Sequence, residues 1–122
     1  QLLERLALNL VENASKYGPK NGLIRLAAAR VEDRLRMSVT DEGERIPGPQ
    51  RERIFDRFTR VTDSPGRIVG QGLGLAFCRL VADLHHGRIW LEDGEPGGNR
   101  FVLEIPLRAP QGEAVLKPAP PT

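Results

Sequence analysis

The sequence contains little cysteine and no long apolar run, and each absence excludes a class of protein. Its one cysteine, Cys78, cannot form a disulfide framework or a cysteine-based zinc site. No segment approaches the roughly 18 consecutive apolar residues of a membrane-spanning helix, and Gln1 opens a charged helical pattern instead of a signal peptide. We therefore expect a soluble cytoplasmic domain without membrane contact of its own, from a parent protein that can itself be membrane-anchored.

Charge of one sign is not concentrated anywhere in the chain. The 18 Lys and Arg residues against 16 Asp and Glu residues give a net charge of +2 without a block of like charge, so we expect no nucleic-acid partner. The 122 residues, 39% of them apolar, suit one domain with a modest core. We place this domain at residues 1–107, and the proline-rich composition of residues 108–122 predicts a tail or linker.

Hydrophobic periodicity predicts two helices and two hairpins. Residues 1–17 carry apolar side chains at helical spacing, and Gly18 and Pro19 end that helix. The other predicted elements are strands at 23–31 and 35–40, a short helix at 50–58, a mobile loop at 59–70, a helix at 73–84 and strands at 87–92 and 100–107. This order predicts an α+β sandwich with helices on one face of a mixed, mostly antiparallel sheet.

The opening helix carries a polar face. Asn9, Asn13, Lys16 and Tyr17 recur three or four residues apart, which places them on one side of a helix. An Asn amide oxygen can coordinate Mg²⁺, and a Lys one turn away can reach a phosphate. A polar stripe on a surface helix would show the same pattern.

A second candidate segment follows the strand at 35–40. Asp41 can accept hydrogen bonds from an exocyclic amine such as that of adenine, Gly43 lets the backbone approach a flat ring, and Ile46 offers an apolar wall. An ordinary Asp-x-Gly turn has the same residues.

A third segment leads into the second long helix. Glycines before a helix leave backbone N–H groups to meet an anion, and the spacing here is neither a dinucleotide-binding turn nor a P-loop. A flexible hinge is the alternative. The residues concerned are Gly70, Gly72, Leu73 and Gly74.

Taken in this order, the three segments resemble the N, G1 and G2 boxes of the Bergerat ATP-binding fold, which DNA gyrase, heat-shock chaperones, mismatch-repair ATPases and histidine kinases share. Phe55 and Phe58 resemble the F box of sensor histidine kinases, and residues 84–89 and 97–106 resemble the closing helix-to-hairpin region of that family. The resemblance covers residues 3–107, and it implies a strand before the first helix that this chain lacks.

The resemblance implies a role for each candidate residue on the opening helix. Asn13 would hold Mg²⁺ with help from Asn9, Lys16 would contact phosphate, and Tyr17 would flank the nucleotide. Phosphoryl transfer depends mainly on positioning and charge stabilisation, so Asn13 and Lys16 count as catalytic.

The other boxes would bind the base and close the site. Asp41 would bind the adenine amine and Gly43 would shape the pocket, while the glycines of the third segment would hinge a lid over the phosphates. Phe55 and Phe58 would anchor the base of the lid or meet the helices that carry the acceptor histidine.

Kinase and hydrolase members of the superfamily differ one turn before Asn13. The hydrolases have a glutamate there as general base for water, whereas this chain has Asn9, whose amide cannot take a proton. Glu12 projects about 100° away from Asn13 on the helix, so we expect it to face solvent.

The resemblance therefore implies the ATP-binding catalytic domain of a two-component sensor histidine kinase. It would use ATP and Mg²⁺, pass the γ-phosphate to a histidine on a dimerisation domain outside this chain, and act with the receiver domain of a response regulator. Two alternatives remain: a non-catalytic Bergerat domain that serves as a docking or regulatory module, and an anti-sigma-type serine kinase.

Two positions depart from the family pattern. Arg45 stands where the G1 box has a second glycine, and its side chain either crowds the nucleotide or reaches a phosphate. His85-His86-Gly87 replaces His-Gly-Gly at a helix end. We expect one of the two histidines to pack at the end of the helix and the other to be exposed, with neither acting as phosphoacceptor or metal ligand.

Overall fold

The computed structural model describes residues 1–56 and 74–107. Its elements, in chain order, are α1 (Leu2–Tyr17), β1 (Arg25–Val31), β2 (Arg34–Asp41), two 3-10 helices (Gly48–Gln50 and Arg53–Phe55), α2 (Gly74–Leu84), β3 (Arg88–Asp93) and β4 (Asn99–Pro106). The predicted order of helices and hairpins is confirmed. The predicted loop at 59–70 and the tail at 108–122 lie outside the described residues.

The short helix predicted at 50–58 is wrong over its described part. Up to Asp56 the chain forms two 3-10 turns, and Ile54 and Phe55 in the second turn are buried. The hydrogen bonds of a segment this short cannot offset the free-energy cost of helix nucleation. Its conformation is therefore determined by how its apolar residues pack.

Helix α1 buries one apolar stripe and ends where its sequence dictates. Leu6, Leu10 and Ala14 are buried because they recur on one face at spacings of four. The Gly18 amide donates to the Ala14 carbonyl oxygen at 2.9 Å, and Pro19 cannot continue the helix. The polar residues of the same helix are thereby turned away from the core.

The four strands form one sheet in the order β1-β2-β4-β3. Each of its three described pairings is antiparallel, and the register places Asp41 at the end of β2 opposite Asn99 at the start of β4. Strand β1 is exposed along its whole length. Because each described pairing is antiparallel, the sheet formed by these strands is antiparallel throughout. It is one layer of the predicted sandwich.

The core lies between the two long helices and one face of the sheet. Its side chains alternate along β4 with those of the outer face, as a strand period of two requires. The buried cluster includes Leu6, Leu10, Val39, Ile46, Ile54, Phe55, Leu75, Cys78, Val81, Phe101 and Leu103. Phe55 and Phe101 meet edge to face, with ring centroids 6.2 Å apart.

The outer face of the sheet holds one buried carboxylate. Glu104 on β4 is 4% exposed and is surrounded by the guanidinium groups of Arg34, Arg36 and Arg88. The hydrogen bond from Arg36 is the largest cause that holds the pKa of Glu104 below its usual value; burial opposes it, and the bonds from the other two arginines add to it.

Within the part of the chain that the structure describes, no helix combines the length and apolar character needed to cross a membrane.

Candidate functional site

A cavity of about 160 Å³ lies between the C-terminal half of α1 and the start of α2. Its lining residues are Asn9, Glu12, Asn13, Lys16, Tyr17, Gly74 and Leu75. The spacing of the polar residues on α1 brings them to one wall, as predicted, and Gly74 from the glycine-rich segment supplies part of the opposite wall.

Asn13 supplies a buried polar group to this wall. Its Nδ2 atom is shielded from solvent and has no hydrogen-bond partner among the described residues. A buried amide without a partner costs free energy, which a bound ligand can recover. Lys16 is exposed beside it, with its ammonium 5.8 Å from the centroid of the Tyr17 ring.

Glu12 faces solvent, as expected, and it also contributes to the lining of the cavity. Its side chain is exposed but belongs to the cavity rim. A helix rotation of about 100° separates the Cα–Cβ bonds of Glu12 and Asn13, yet a long side chain at the edge of an open cavity can still reach the rim.

Asp41 is held at the end of β2 by short contacts. The carboxylate is 1% exposed, and its Oδ1 accepts a 2.7 Å hydrogen bond from the Gly43 amide. The Asn99 side-chain amide donates to the same oxygen at 3.5 Å. The predicted Asp-x-Gly arrangement is therefore present as a closed turn around the carboxylate.

Asp41 and Asn13 line different cavities in the described residues. Asp41 contributes to a second cleft of only about 10 Å³, between β1, the end of β2 and the turn at 95–97. The end of α1 lies close to Asp41, because a Cβ built on Gly18 would lie 3.6 Å from the Asp41 Cβ. The glycine-rich segment before Gly74 lies outside the described residues.

Ile46 is not placed as predicted. The side chain is 1% exposed and belongs to the hydrophobic core, so it lines neither cavity. It supports the loop after Asp41 from beneath, because burying an aliphatic side chain is more favourable than leaving it as an exposed wall.

Arg45 takes neither of its two expected positions. Its guanidinium turns to the β3–β4 turn, where it donates to the carbonyl oxygens of Gly94 at 2.9 Å and Gly98 at 3.3 Å. It neither lines the cavity beside α1 nor enters the cleft beside Asp41. Arg45 therefore blocks neither the cavity beside Asn13 nor the cleft beside Asp41.

Several of the candidate site residues lie outside the part of the chain that the structure describes. These are Phe58, Gly70, Gly72 and Leu73, together with the expected mobile lid. Phe55 is described and is 2% exposed in the core, with the Arg79 guanidinium 5.3 Å from its ring centroid. A buried position suits the expected role of Phe55 as an anchor. It leaves no exposed ring surface for contact with the helices that carry the acceptor histidine.

The described histidines lie at the end of α2, and the cysteine lies in the core. The His85 Nδ1 lies 2.9 Å from the Val81 carbonyl oxygen and His86 is exposed, so one histidine packs at the end of α2 and the other does not, as predicted. Cys78 is fully buried in the core. Across residues 1–56 and 74–107, no three His, Cys, Asp or Glu side chains gather as they would around a protein-only metal site.

Sequence reasoning missed the residues that fasten the loop after Asp41. Arg51 donates to the Ile46 carbonyl oxygen at 3.0 Å and pairs with the carboxylate of Asp93. The hydrogen bond from Arg51 is the largest cause of the lowered pKa of Asp93; desolvation opposes it, and the nearby charge of Arg45 adds to it. These partners are far apart in the chain, so no local motif signals them.

The chain matches a known family over most of its length. The sequence profile described as "Histidine kinase-, DNA gyrase B-, and HSP90-like ATPase" matches residues 1–109. The chain belongs to this family. As a histidine kinase-like ATPase domain it has the α+β fold that the three boxes implied, and ATP is the ligand class of the family.

Its relatives are sensor histidine kinases. The domain is 38% identical over 107 residues to the adaptive-response sensory kinase SasA of Thermosynechococcus vestitus, a match that covers 86% of this chain and 28% of SasA. It therefore spans less than a third of that relative's length.

Solved histidine kinase structures share its fold. The nucleotide-free catalytic domain of ThkA is 34% identical with a TM-score of 0.73, covering 86% of this chain and 66% of that one. Full-length ShkA, solved in complex with AMPPNP, is 31% identical with a TM-score of 0.72, covering 86% of this chain and 21% of that one. ThkA has also been solved in complex with the response regulator TrrA. These matches identify a catalytic, ATP-binding domain of the sensor histidine kinase type.

Proposed function

We propose that the domain binds Mg²⁺-ATP with its triphosphate in the cavity beside α1. In the complete protein, the γ-phosphate would pass to a histidine on a dimerisation domain outside this chain, and from there to the receiver domain of a response regulator. The observation that carries the proposal is the wall of Asn9, Asn13 and Lys16, where the buried Nδ2 of Asn13 lacks a partner among the described residues and can donate to a phosphate oxygen.

The donor set of the cavity suits magnesium. Mg²⁺ prefers hard oxygen ligands and usually retains water and substrate phosphate oxygens, so it does not require a cage made by the protein alone. Asn13 and Asn9 offer amide oxygens, with the carboxylate of Glu12 at the rim. When bound, the ion would neutralise charge on the phosphates. Lys16, exposed at the same wall, would add a positive charge for a phosphate oxygen.

Asp41 suits recognition of the adenine amine. An ionised carboxylate only accepts hydrogen bonds, so it favours a base that presents an N–H donor. Because Gly43 and Asn99 hold Oδ1, the orientation of the group is set before a ligand arrives. Such preorganisation reduces the entropy lost on binding.

Transfer to a side chain is favoured over hydrolysis at this site. The Asn9 amide lines the cavity but cannot accept a proton from an attacking water molecule. A relative supports the same direction, since ThkA was solved in complex with a response regulator.

Calorimetry with Mg²⁺-AMP-PNP tests nucleotide binding. We expect Asn13→Ala to weaken binding by about tenfold or more, because loss of a hydrogen bond to a charged group costs roughly 1.5–3 kcal/mol. Ser15→Ala is the matched control, since Ser15 is exposed on the same helix and does not line the cavity. Absence of heat with the wild-type chain at millimolar nucleotide would favour a docking or regulatory module instead.

Phosphoryl transfer is tested on the complete protein with γ-labelled ATP. We expect an acid-labile, base-stable phosphorylated product that Asn13→Ala does not form. An acid-stable phosphoserine on a partner protein would instead identify a serine kinase.

A further inference from the structure

Arg45 joins two segments that flank Asp41. Beyond its bonds to Gly94 and Gly98, its guanidinium reaches the carbonyl oxygen of Pro96 at 3.5 Å, and its Nη1 lies 3.7 Å from the Asp93 carboxylate. The planar fork of arginine donors can serve several oxygens at once. One side chain of the loop after Asp41 therefore grips the turn at 94–98.

The residues on either side of Arg45 are held to the same hairpin. Asn99 is fully buried, and its amide nitrogen donates to the Glu44 carbonyl oxygen at 2.9 Å. Its amide oxygen accepts a 3.0 Å hydrogen bond from the Ile46 amide. Loop residues 44–46 are thus fastened to the β3–β4 hairpin at three consecutive positions.

The gripped turn presses on the backbone of Asp41. A Cβ added at Gly98, whose φ is +81°, would overlap the Asp41 carbonyl oxygen and lie 2.9 Å from the Glu42 Cα. Arg25 also holds this turn, at the Glu95 carbonyl oxygen, but from the side of β1. From the side of the loop after Asp41, it is the Arg45 side chain that forms hydrogen bonds with the turn at 94–98.

We propose that Arg45 is a positioning residue for nucleotide selectivity, which holds the Asp41 carboxylate in the orientation that accepts the adenine amine. This inference rests on the proposed function. Guanine presents a carbonyl oxygen where adenine presents its amine, so a fixed carboxylate rejects it by leaving two acceptors face to face. Without Arg45 the loop would be less well fixed, and the Asp41 carboxylate would discriminate less between adenine and guanine. The contacts of the protein with the nucleotide phosphates would remain.

The test compares binding of AMP-PNP and GMP-PNP, each with Mg²⁺, to the wild-type chain, Arg45→Ala and Arg45→Lys. We expect Arg45→Ala to bind AMP-PNP about tenfold more weakly and GMP-PNP within about twofold of wild type, because one oriented charged hydrogen bond is lost. Arg45→Lys keeps the charge but lacks the planar fork, so its selectivity falls between the two. Arg30→Ala is the matched control: Arg30 also donates to a hairpin carbonyl, that of Glu32, but far from the site.

Amide exchange without nucleotide separates positioning from general destabilisation. We expect Arg45→Ala to raise the exchange rate of the Gly43 and Ile46 amides while core amides such as Leu103 keep theirs. If Arg45→Ala does not fold, Arg45→Lys serves for both measurements. Unchanged selectivity in a wild-type-like background overturns the inference alone. A wild-type chain that binds neither analogue overturns the proposed function and the selectivity role with it.

Discussion

Gly98 lies directly against the peptide that joins Asp41 to Glu42, so closely that no side chain fits between them. This contact places the β3–β4 turn on top of the residue proposed to select adenine. The positive φ of Gly98, +81°, is a conformation that residues with a Cβ rarely adopt. Backbone packing at Gly98 therefore adds to the side-chain contacts of Arg45 and Asn99 that join the turn to the site.

Gly98→Ala is expected to destabilise the fold and to weaken nucleotide binding. Strain at positive φ and the overlap with Asp41 together should cost at least about 2 kcal/mol. Chemical denaturation measures the first effect and calorimetry with Mg²⁺-AMP-PNP the second. Gly97→Ala is the control, because a Cβ there meets nothing within 4 Å. Equal stability of the two variants would contradict the packing described.

His86→Gly is expected to be more stable than His86→Ala by about 1 kcal/mol. His86 has a φ of +60° just after α2, where the Gly87 amide bonds back to Ala82 and the His86 amide to Asp83. This closing turn favours glycine at its left-handed position, and alanine keeps the strain that glycine removes. Thermal unfolding of both variants provides the measurement, and a more stable alanine variant would refute the assignment.

Glu104→Gln is expected to lower the melting temperature at pH 7 but not at low pH. The arginines around Glu104 lower its folded pKa, led by the hydrogen bond from Arg36. A lowered pKa stabilises the fold above the unfolded value of about 4.3, and the gain is lost as pH falls through the folded value. The difference in melting temperature between wild type and variant should therefore shrink below about pH 4. Glu32→Gln, on the exposed β1–β2 turn, is the control for the chemical change itself.

Cys78 is expected to resist thiol reagents in the folded domain. Burial raises the pKa of its thiol to about 12, and its Sγ lies 3.7 Å from the Leu6 carbonyl oxygen inside the core. The thiolate is the reactive form, so little is available at pH 8. Labelling with a chromogenic disulfide should follow unfolding, and fast labelling under native conditions would contradict the core position.

Local sequence patterns were sufficient to predict most elements of the fold. The spacing of Leu6, Leu10 and Ala14 predicted α1, and the residues before and after Glu32 predicted a hairpin, because these signals lie within one element. The segment around Ile54 was assigned wrongly, since its conformation depends on burial against elements elsewhere in the chain.

The candidate site was predicted in part. Asn9 and Asn13 meet on one wall because helical spacing determines which side chains share a face. The direction of Arg45 was not predictable, because its partners are carbonyl oxygens of a turn some fifty residues later in the chain. The burial of Ile46 and the position of Glu12 likewise depend on tertiary packing.

The proposed function requires one nucleotide to reach both the cavity beside α1 and the cleft beside Asp41, and a crystal structure of the chain with Mg²⁺-AMP-PNP tests this most directly. The account predicts the adenine amine within hydrogen-bond distance of Asp41, and the triphosphate against Asn13 and Lys16. A nucleotide bound at another surface, such as the arginines around Glu104, would contradict it.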